Sequence, residues 1–276
     1  MVDEQTKDLK NKINQLKEAR RRERDIVDIM GHELRTPMTV IQNYHELMGR
    51  LIDKNKFKSK SAFKKYQEYM DIIGLNIQKE ISLINVLLDS AKLESGQMEL
   101  NKEPVDILDL IDDAILCHKG DAKSKDLYIK YLKPKSHNFP KIYADKIRVH
   151  EILDNLISNA IKYTNQGGLE IKVDSIKDYV RIIFSDTGIG MEEKDLKNIG
   201  KKFYRSNQYL TDKNDKVHSE RPSGTGLGLF VTFNLIKTHG GKVKVSSKLG
   251  KGSVFTVTLP TIEKEQGKED VKNREE

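Results

Sequence analysis

The sequence contains a single cysteine, Cys117, so no disulfide can close within the chain. A lone thiol of this kind is read as a buried one and suits a reducing cytosolic setting. No run of 18 or more apolar residues occurs, which excludes a membrane-spanning helix within the sequence. The opening residues, MVDEQTKDLK, lack the apolar stretch of a signal peptide. Nor is there a block of charge of one sign. The formal net charge is +7, but 49 basic residues are interleaved with 42 acidic ones. The densest basic cluster, Arg20, Arg21, Arg22 and Arg24, alternates with Glu18, Glu23 and Asp25. That pattern reads as a solvated helix face, so no nucleic-acid partner is expected. A chain of 276 residues that is 33% charged and 37% apolar implies one or two soluble domains with long exposed helices.

Residues 4–52 read as one long helix. Leu9, Ile13, Leu16, Arg20, Glu23, Val27, Met30 and Leu34 keep a four-three heptad spacing, with polar Arg20 and Glu23 interrupting the seam. A polar, basic loop is expected over 53–61, then a second helix from Ala62 to Leu93. Tyr69, Ile72, Ile73, Ile77, Ile81, Ile84, Leu87, Leu88 and Leu93 give that helix a continuous apolar stripe. One hairpin has too little core to bury both stripes, so two hairpins should pair as a homodimeric four-helix bundle.

Composition changes at Ser95-Gly96. Strands are expected at 97–101, 127–132, 168–175, 179–185, 242–247 and 253–259. A helix capped by Asp106 follows the first, and further helices fit 146–163 and 226–239. This order implies a two-layer α/β sandwich, a mixed sheet with helices on one face. The chain thus divides into a coiled-coil signalling helix (1–25), a helical hairpin (26–95), an α/β domain (96–262) and a polar tail (263–276) read as disordered.

His32-Glu33-Leu34-Arg35-Thr36-Pro37 sits within the first helix, and His32 falls between seam positions Met30 and Leu34. Pro37 lacks an N–H and its ring crowds the Glu33 carbonyl, so the helix should bend there, a defect costing about 3 kcal/mol in an ordinary helix. His32 and Thr36 are i,i+4 neighbours, and Glu33 and Thr36 are i,i+3 neighbours. A neutral imidazole is a nucleophile near neutral pH. A carboxylate such as Glu33 can hold the proton on its other nitrogen. An exposed helix histidine that happens to precede a glutamate remains the alternative for the pair taken alone. The six residues resemble the H-box of sensor histidine kinases. The resemblance implies that His32 takes a phosphoryl group from ATP and passes it to an aspartate of a response regulator. It further implies that Glu33 acts as the acid beside the histidine, and that Glu33 and Thr36 orient water for phosphatase action on the phosphorylated regulator.

From Asp145 to Thr164, the apolar positions Val149, Ile152, Leu153, Leu156, Ile157, Ala160 and Ile161 mark a buried helix face. Glu151, Asn155, Asn159 and Lys162 form a second stripe. Amide oxygens suit hard Mg²⁺ and lysine supplies a point charge for phosphate, although a plain polar face has the same pattern. The stripe resembles the family's N-box, which makes Asn159 the expected Mg²⁺ ligand and Asn155, Lys162 and Tyr163 nucleotide contacts. The family usually has glutamine where Glu151 stands. Asp186-Thr187-Gly188-Ile189-Gly190 ends a strand and resembles the G1 box, implying that Asp186 accepts a hydrogen bond from the adenine amino group beside Gly188 and Gly190. Ser223-Gly224-Thr225-Gly226-Leu227-Gly228 opens a helix, where free N–H groups favour phosphate. It resembles the G2 box. Phe203, Tyr204 and Arg205 match the second half of the F-box, whose first half commonly carries an aromatic where Gly200 stands. The resemblance covers about residues 26–260 and implies a GHKL-type ATP site. Chaperone- and gyrase-type ATPases share that nucleotide fold but lack a His-Glu-x-x-Thr-Pro hairpin. An inactive scaffold is disfavoured by the presence of Asp186, Asn159 and the three glycines. With no sensor segment, the sequence reads as the cytoplasmic catalytic core of a longer receptor.

Overall fold

The computed structural model describes residues 30, 31, 33–50, 60–135, 139–206 and 224–262. The expected coiled-coil segment, His32, most of the 53–61 loop and the polar tail lie outside the described residues. The chain divides between Leu88 and Asp89 into a helical unit and an α/β unit, with Gly224 and Thr225 grouped with the helical one. No helix among the described residues is long and apolar enough to cross a membrane.

In the helical unit, α1 (33–50) continues through Pro37, and the Thr39 hydroxyl donates to the Arg35 carbonyl at 2.8 Å. The second helix, α2 (Lys60–Glu94), begins at Lys60, so Lys60 and Ser61 are helical rather than loop. Tyr44 and Tyr69 join the two helices edge to face, ring centroids 5.2 Å apart. One hairpin leaves much of the stripe in solvent: Ile77, Ile81, Ile84 and Leu88 recur at helical spacing and all remain exposed.

The α/β unit opens with β1 (Glu103–Val105), which pairs antiparallel with β3 (Ile142–Ala144). No strand forms over 97–101; the extended segment falls later, and Pro104 stands in a two-stranded edge where its missing N–H costs no ladder bond. Helix α3 (Ile107–Ser124) is capped by Asp106, whose Oδ1 accepts from Leu108 N at 2.9 Å. Cys117 is exposed, contrary to the expected buried thiol. The buried face of α3 runs Ile107, Leu110, Ile111, Ala114 and Ala122, and position 117 falls off it. Helix α4 (Lys146–Tyr163) is capped by Asp145, which accepts from Arg148 N at 3.1 Å.

The main sheet runs β2 (Tyr128–Leu132), β4 (Gly168–Ile176), β5 (Tyr179–Asp186), β7 (Gly252–Pro260), β6 (Lys242–Lys248). Only β2–β4 is parallel. Alternate residues face inward: Leu169, Ile171 and Val173 on β4, Val180, Ile182 and Phe184 on β5. They meet the apolar face of α4, from Val149 to Ile161, each buried large side chain stabilising the fold by about 1.5–3 kcal/mol. Helix α6 (Gly228–Thr238) packs beside α4 on the same layer, and short α5 (Glu193–Leu196) lies near β6. The strand ends and the α4–α6 seam together carry the candidate site.

Candidate functional site

The α4 surface is built by helical spacing. Asn155 and Asn159 lie one turn apart, and Asn159 Nδ2 donates to Asn155 Oδ1 at 3.1 Å. Asn155 Nδ2 donates to the Thr232 hydroxyl of α6 at 2.6 Å. Asn155 is therefore an anchor between helices, while Asn159 Oδ1 takes no part in these bonds. At Gly228, the first residue of α6, a Cβ would lie 2.6 Å from Asn155 Oδ1. Only glycine lets the start of that helix rest on the asparagine.

Asp186 ends β5 with its carboxylate held in place. Its Oδ1 accepts from Gly188 N at 2.9 Å and from Ser253 N at 3.1 Å. Burial pushes its carboxyl above the ordinary value, and the two backbone donors pull it back. Neither bond uses Oδ2, which leaves an acceptor for an amino group. The Asp186 loop is pinned to the end of α4 because Ile189 N donates to the Tyr163 carbonyl at 3.1 Å. Lys125 Nζ caps that end of α4, bonding the carbonyls of Ile161 at 2.9 Å and Lys162 at 3.2 Å. The Lys162 ammonium lies 5.0 Å from the centre of the Tyr163 ring. Gly188 and Gly190 are buried. A Cβ on Gly190 would lie 2.0 Å from the Lys248 carbonyl oxygen, so the two turns at this sheet end are in contact.

Phe203 has φ +60, and Phe203 and Arg205 are half-buried. Leu227 is fully buried just before α6, between half-buried Gly226 and Gly228. In the helical unit, Glu33 is half-buried and Thr36 exposed. Gly224 N donates to Glu33 Oε1 at 3.2 Å, and Thr225 belongs to the same unit.

Glu151 bonds Arg148 Nη1 at 2.8 Å. Arg148 also makes a two-pronged pair with Asp89, at 2.6 and 3.0 Å. Burial raises the Glu151 carboxyl and the guanidinium lowers it. Its role here is therefore an ion pair.

Three contributors escaped sequence reasoning. Asp195 is buried and accepts from the Tyr204 hydroxyl at 2.6 Å and the Ser206 hydroxyl at 2.7 Å. Burial and that carboxylate push the Tyr204 phenol up to about 12. His239, fully buried, bonds the Leu235 carbonyl through Nδ1 at 2.8 Å and accepts from Asp145 N through Nε2 at 3.1 Å. Burial lowers its pKa, as a neutral ring in this role requires. Thr164 is buried beside Gly188, where a glycine Cβ would lie 3.1 Å from its hydroxyl. Nothing in the spacing of these residues marks them, since each is defined by partners distant in sequence or by burial.

The donor set fits Mg²⁺ held mainly through phosphate and water. Asn159 offers one hard amide oxygen, and among the described residues no group of three acidic, histidine or cysteine side chains could cage an ion.

Residues 144–263 match the family of histidine kinase-, DNA gyrase B- and HSP90-like ATPases, and residues 22–96 match the His Kinase A phospho-acceptor domain. The "Non-motile and phage-resistance protein" of Caulobacter vibrioides is 32% identical over 242 residues, 86% of this chain and 27% of that protein. Sensor histidine kinase WalK of Bacillus subtilis is 28% identical over 249 residues, 88% of this chain and 37% of WalK. The chain thus spans well under half the length of these curated relatives. Among solved structures, full-length ShkA in complex with AMPPNP superposes with a TM-score of 0.59 at 26% identity, covering 82% of this chain and 46% of ShkA. Acinetobacter baumannii AdeS gives 0.54 at 23% identity, covering 84% and 98%, a likeness of fold. With a phospho-acceptor match over residues 22–96 and an ATPase match over residues 144–263, the chain belongs to the sensor histidine kinases of two-component systems.

Proposed function

We propose that this chain catalyses transfer of the γ-phosphoryl group of ATP to its own His32 and then to an aspartate on a response regulator receiver domain. The observation that carries the reading is the Asn155–Thr232–Gly228 seam, found together with the half-buried carboxylate of Asp186 that the Gly188 and Ser253 N–H groups hold at the end of β5. Asp186 Oδ2 accepts from the adenine amino group. Lys162 and the N–H groups opening α6 receive phosphate oxygens. Asn159 Oδ1 would hold Mg²⁺, which would supply charge neutralisation on the phosphates. One nitrogen of His32 forms the N–P bond as the bond to the ADP oxygen breaks, and Glu33 accepts the hydrogen bond from the other nitrogen. Catalysis by the protein consists of positioning and charge neutralisation.

The reading extends to a cytoplasmic homodimer, supported by the exposed Ile77–Leu88 stripe, and to phosphatase action, supported by exposed Thr36 one turn from Glu33. The phospho-acceptor match over 22–96 favours this reading over an ATP-gated machine that only hydrolyses. Incubation with γ-labelled ATP should give acid-labile label lost in His32→Gln; label persisting in that variant would sink the proposal. Asn159→Ala should abolish Mg-dependent nucleotide binding, measured by calorimetry with ADP.

A further inference from the structure

At Gly200 the chain reverses in the left-handed region, φ +82. The place where a Cβ would stand is filled from another element: Phe233 Cδ2 lies 2.3 Å and Cε2 2.6 Å from it. Phe233 belongs to α6 and is half-buried. The segment it holds is tied at several further points. Asp195 bonds Tyr204 and Ser206. Lys201 N donates to the Asn198 carbonyl at 3.0 Å, and Tyr204 N to the Lys201 carbonyl at 3.1 Å. At Gly226 a Cβ would lie 2.7 Å from the Phe203 carbonyl carbon and 2.8 Å from the Tyr204 carbonyl oxygen. The backbone of 203–204 therefore lies directly on the glycine turn that opens α6. Two residues on, Gly228 rests on Asn155. Thr232, the neighbour of Phe233, bonds the same asparagine.

We propose that Phe233 is a positioning residue for the phosphate end of the nucleotide site. Its ring seats Gly200, Gly200 sets the course of 201–204, and that backbone lies on Gly226, two residues before Gly228 rests on Asn155. The chain thus supplies from α6 the ring that its own 199–205 segment lacks at Gly200. Rigid packing transmits this, because a ring edge against a bare Cα leaves no slack to absorb a shift. The inference rests on reading the site as an ATP site and adds the residue that shapes it.

The test uses the full chain and follows autophosphorylation as a function of ATP concentration. Phe233→Ala should raise the KM for ATP about tenfold and leave kcat within about twofold, since misplacing groups that receive phosphate weakens binding before chemistry. Gly200→Phe should be equally harmful alone, because the new side chain meets the Phe233 ring. Gly200→Phe combined with Phe233→Ala should bind ATP better than Gly200→Phe alone, since one ring again fills the space, although a side chain at φ +82 stays strained. A ring that contributes only packing stability would lower the melting temperature in Phe233→Ala and leave the KM for ATP in place. Should Phe233→Ala not fold, Phe233→Leu, which keeps bulk without a planar edge, carries the same KM-against-kcat readout. An unchanged KM in the Phe233 variant, or no recovery in the double variant, overturns the proposal. Failure of the unsubstituted chain to bind ADP or ATP overturns the reading of the site itself and, with it, this role.

Discussion

At the scale of single residues, buried polar groups divide between stability and function. Asp186 is costly to the fold: burial raises its pKa above the unfolded value, so at neutral pH the ionised form weakens the native state. Asp186→Asn should therefore raise the melting temperature at pH 7 while cutting ADP affinity at least about tenfold, because an amide would present a donor to the adenine amino group. Calorimetry and a thermal melt on the same sample read both effects, and a variant that melts lower would contradict the assignment. His239 behaves in the opposite sense. Its folded pKa is depressed, so the contribution of the neutral ring is complete above the unfolded value of 6.5 and is lost as pH falls from there through the folded value. Denaturant unfolding between about pH 7 and 5 should lose stability in the native chain, and His239→Asn should flatten that slope.

Between elements, the site is a set of seams. The α4–α6 seam depends on Asn155 touching a residue without a side chain. Gly228→Ala would bring a Cβ to 2.6 Å from the Asn155 amide oxygen. Overlap of that size should destabilise by about 1–3 kcal/mol. In a double-mutant cycle with Asn155→Ala, part of that stability should return while nucleotide binding does not. Asp89, Arg148 and Glu151 form a second seam, tying the last turn of α2 to α4 inside the α/β unit. Asp89 is largely buried, so Asp89→Ala should cost about 1–3 kcal/mol, measured by urea denaturation, with Glu151 retaining one prong on the guanidinium. The spacing Arg-x-x-Glu within a helix can specify an intrahelical pair at most. The third member comes from 59 residues away and is defined only by folding.

For the whole molecule, the decisive quantity is the apolar surface that one chain leaves in water. Ile77, Ile81, Ile84 and Leu88 are exposed on one helix, with Met38 and Leu47 on the other. Burying a stripe of this kind against a second copy is the expected resolution, at about 25 cal/mol per Å² of apolar area removed from water. Ile81→Glu with Ile84→Glu should convert a dimer into monomers by light scattering, and ADP affinity should stay within about twofold because Asn155, Asp186 and Gly228 lie in the other unit. A monomeric parent chain would refute the pairing.

Periodicity made the second long helix and the five-stranded sheet legible in the sequence, because burial of one face dictates a repeat of 3.6 or 2 in the residues that face it. The order of Asn155, Asn159, Asp186 and the three glycines was equally legible, since each motif is local in sequence, while the roles they suggest came from the resemblance. The short strand Ile142–Ala144 was not, being three residues long with no repeat to read. Cys117 fell outside the buried face because α3 turns its core stripe through Ala114 and Ala122. The carboxylate of Asp195, the imidazole of His239 and the ring of Phe233 acquire their roles only from partners on other elements. The identity and order of the candidate residues were written in the chain itself; what holds them in register was decided by long-range packing, because contact between distant segments leaves no periodic trace in sequence.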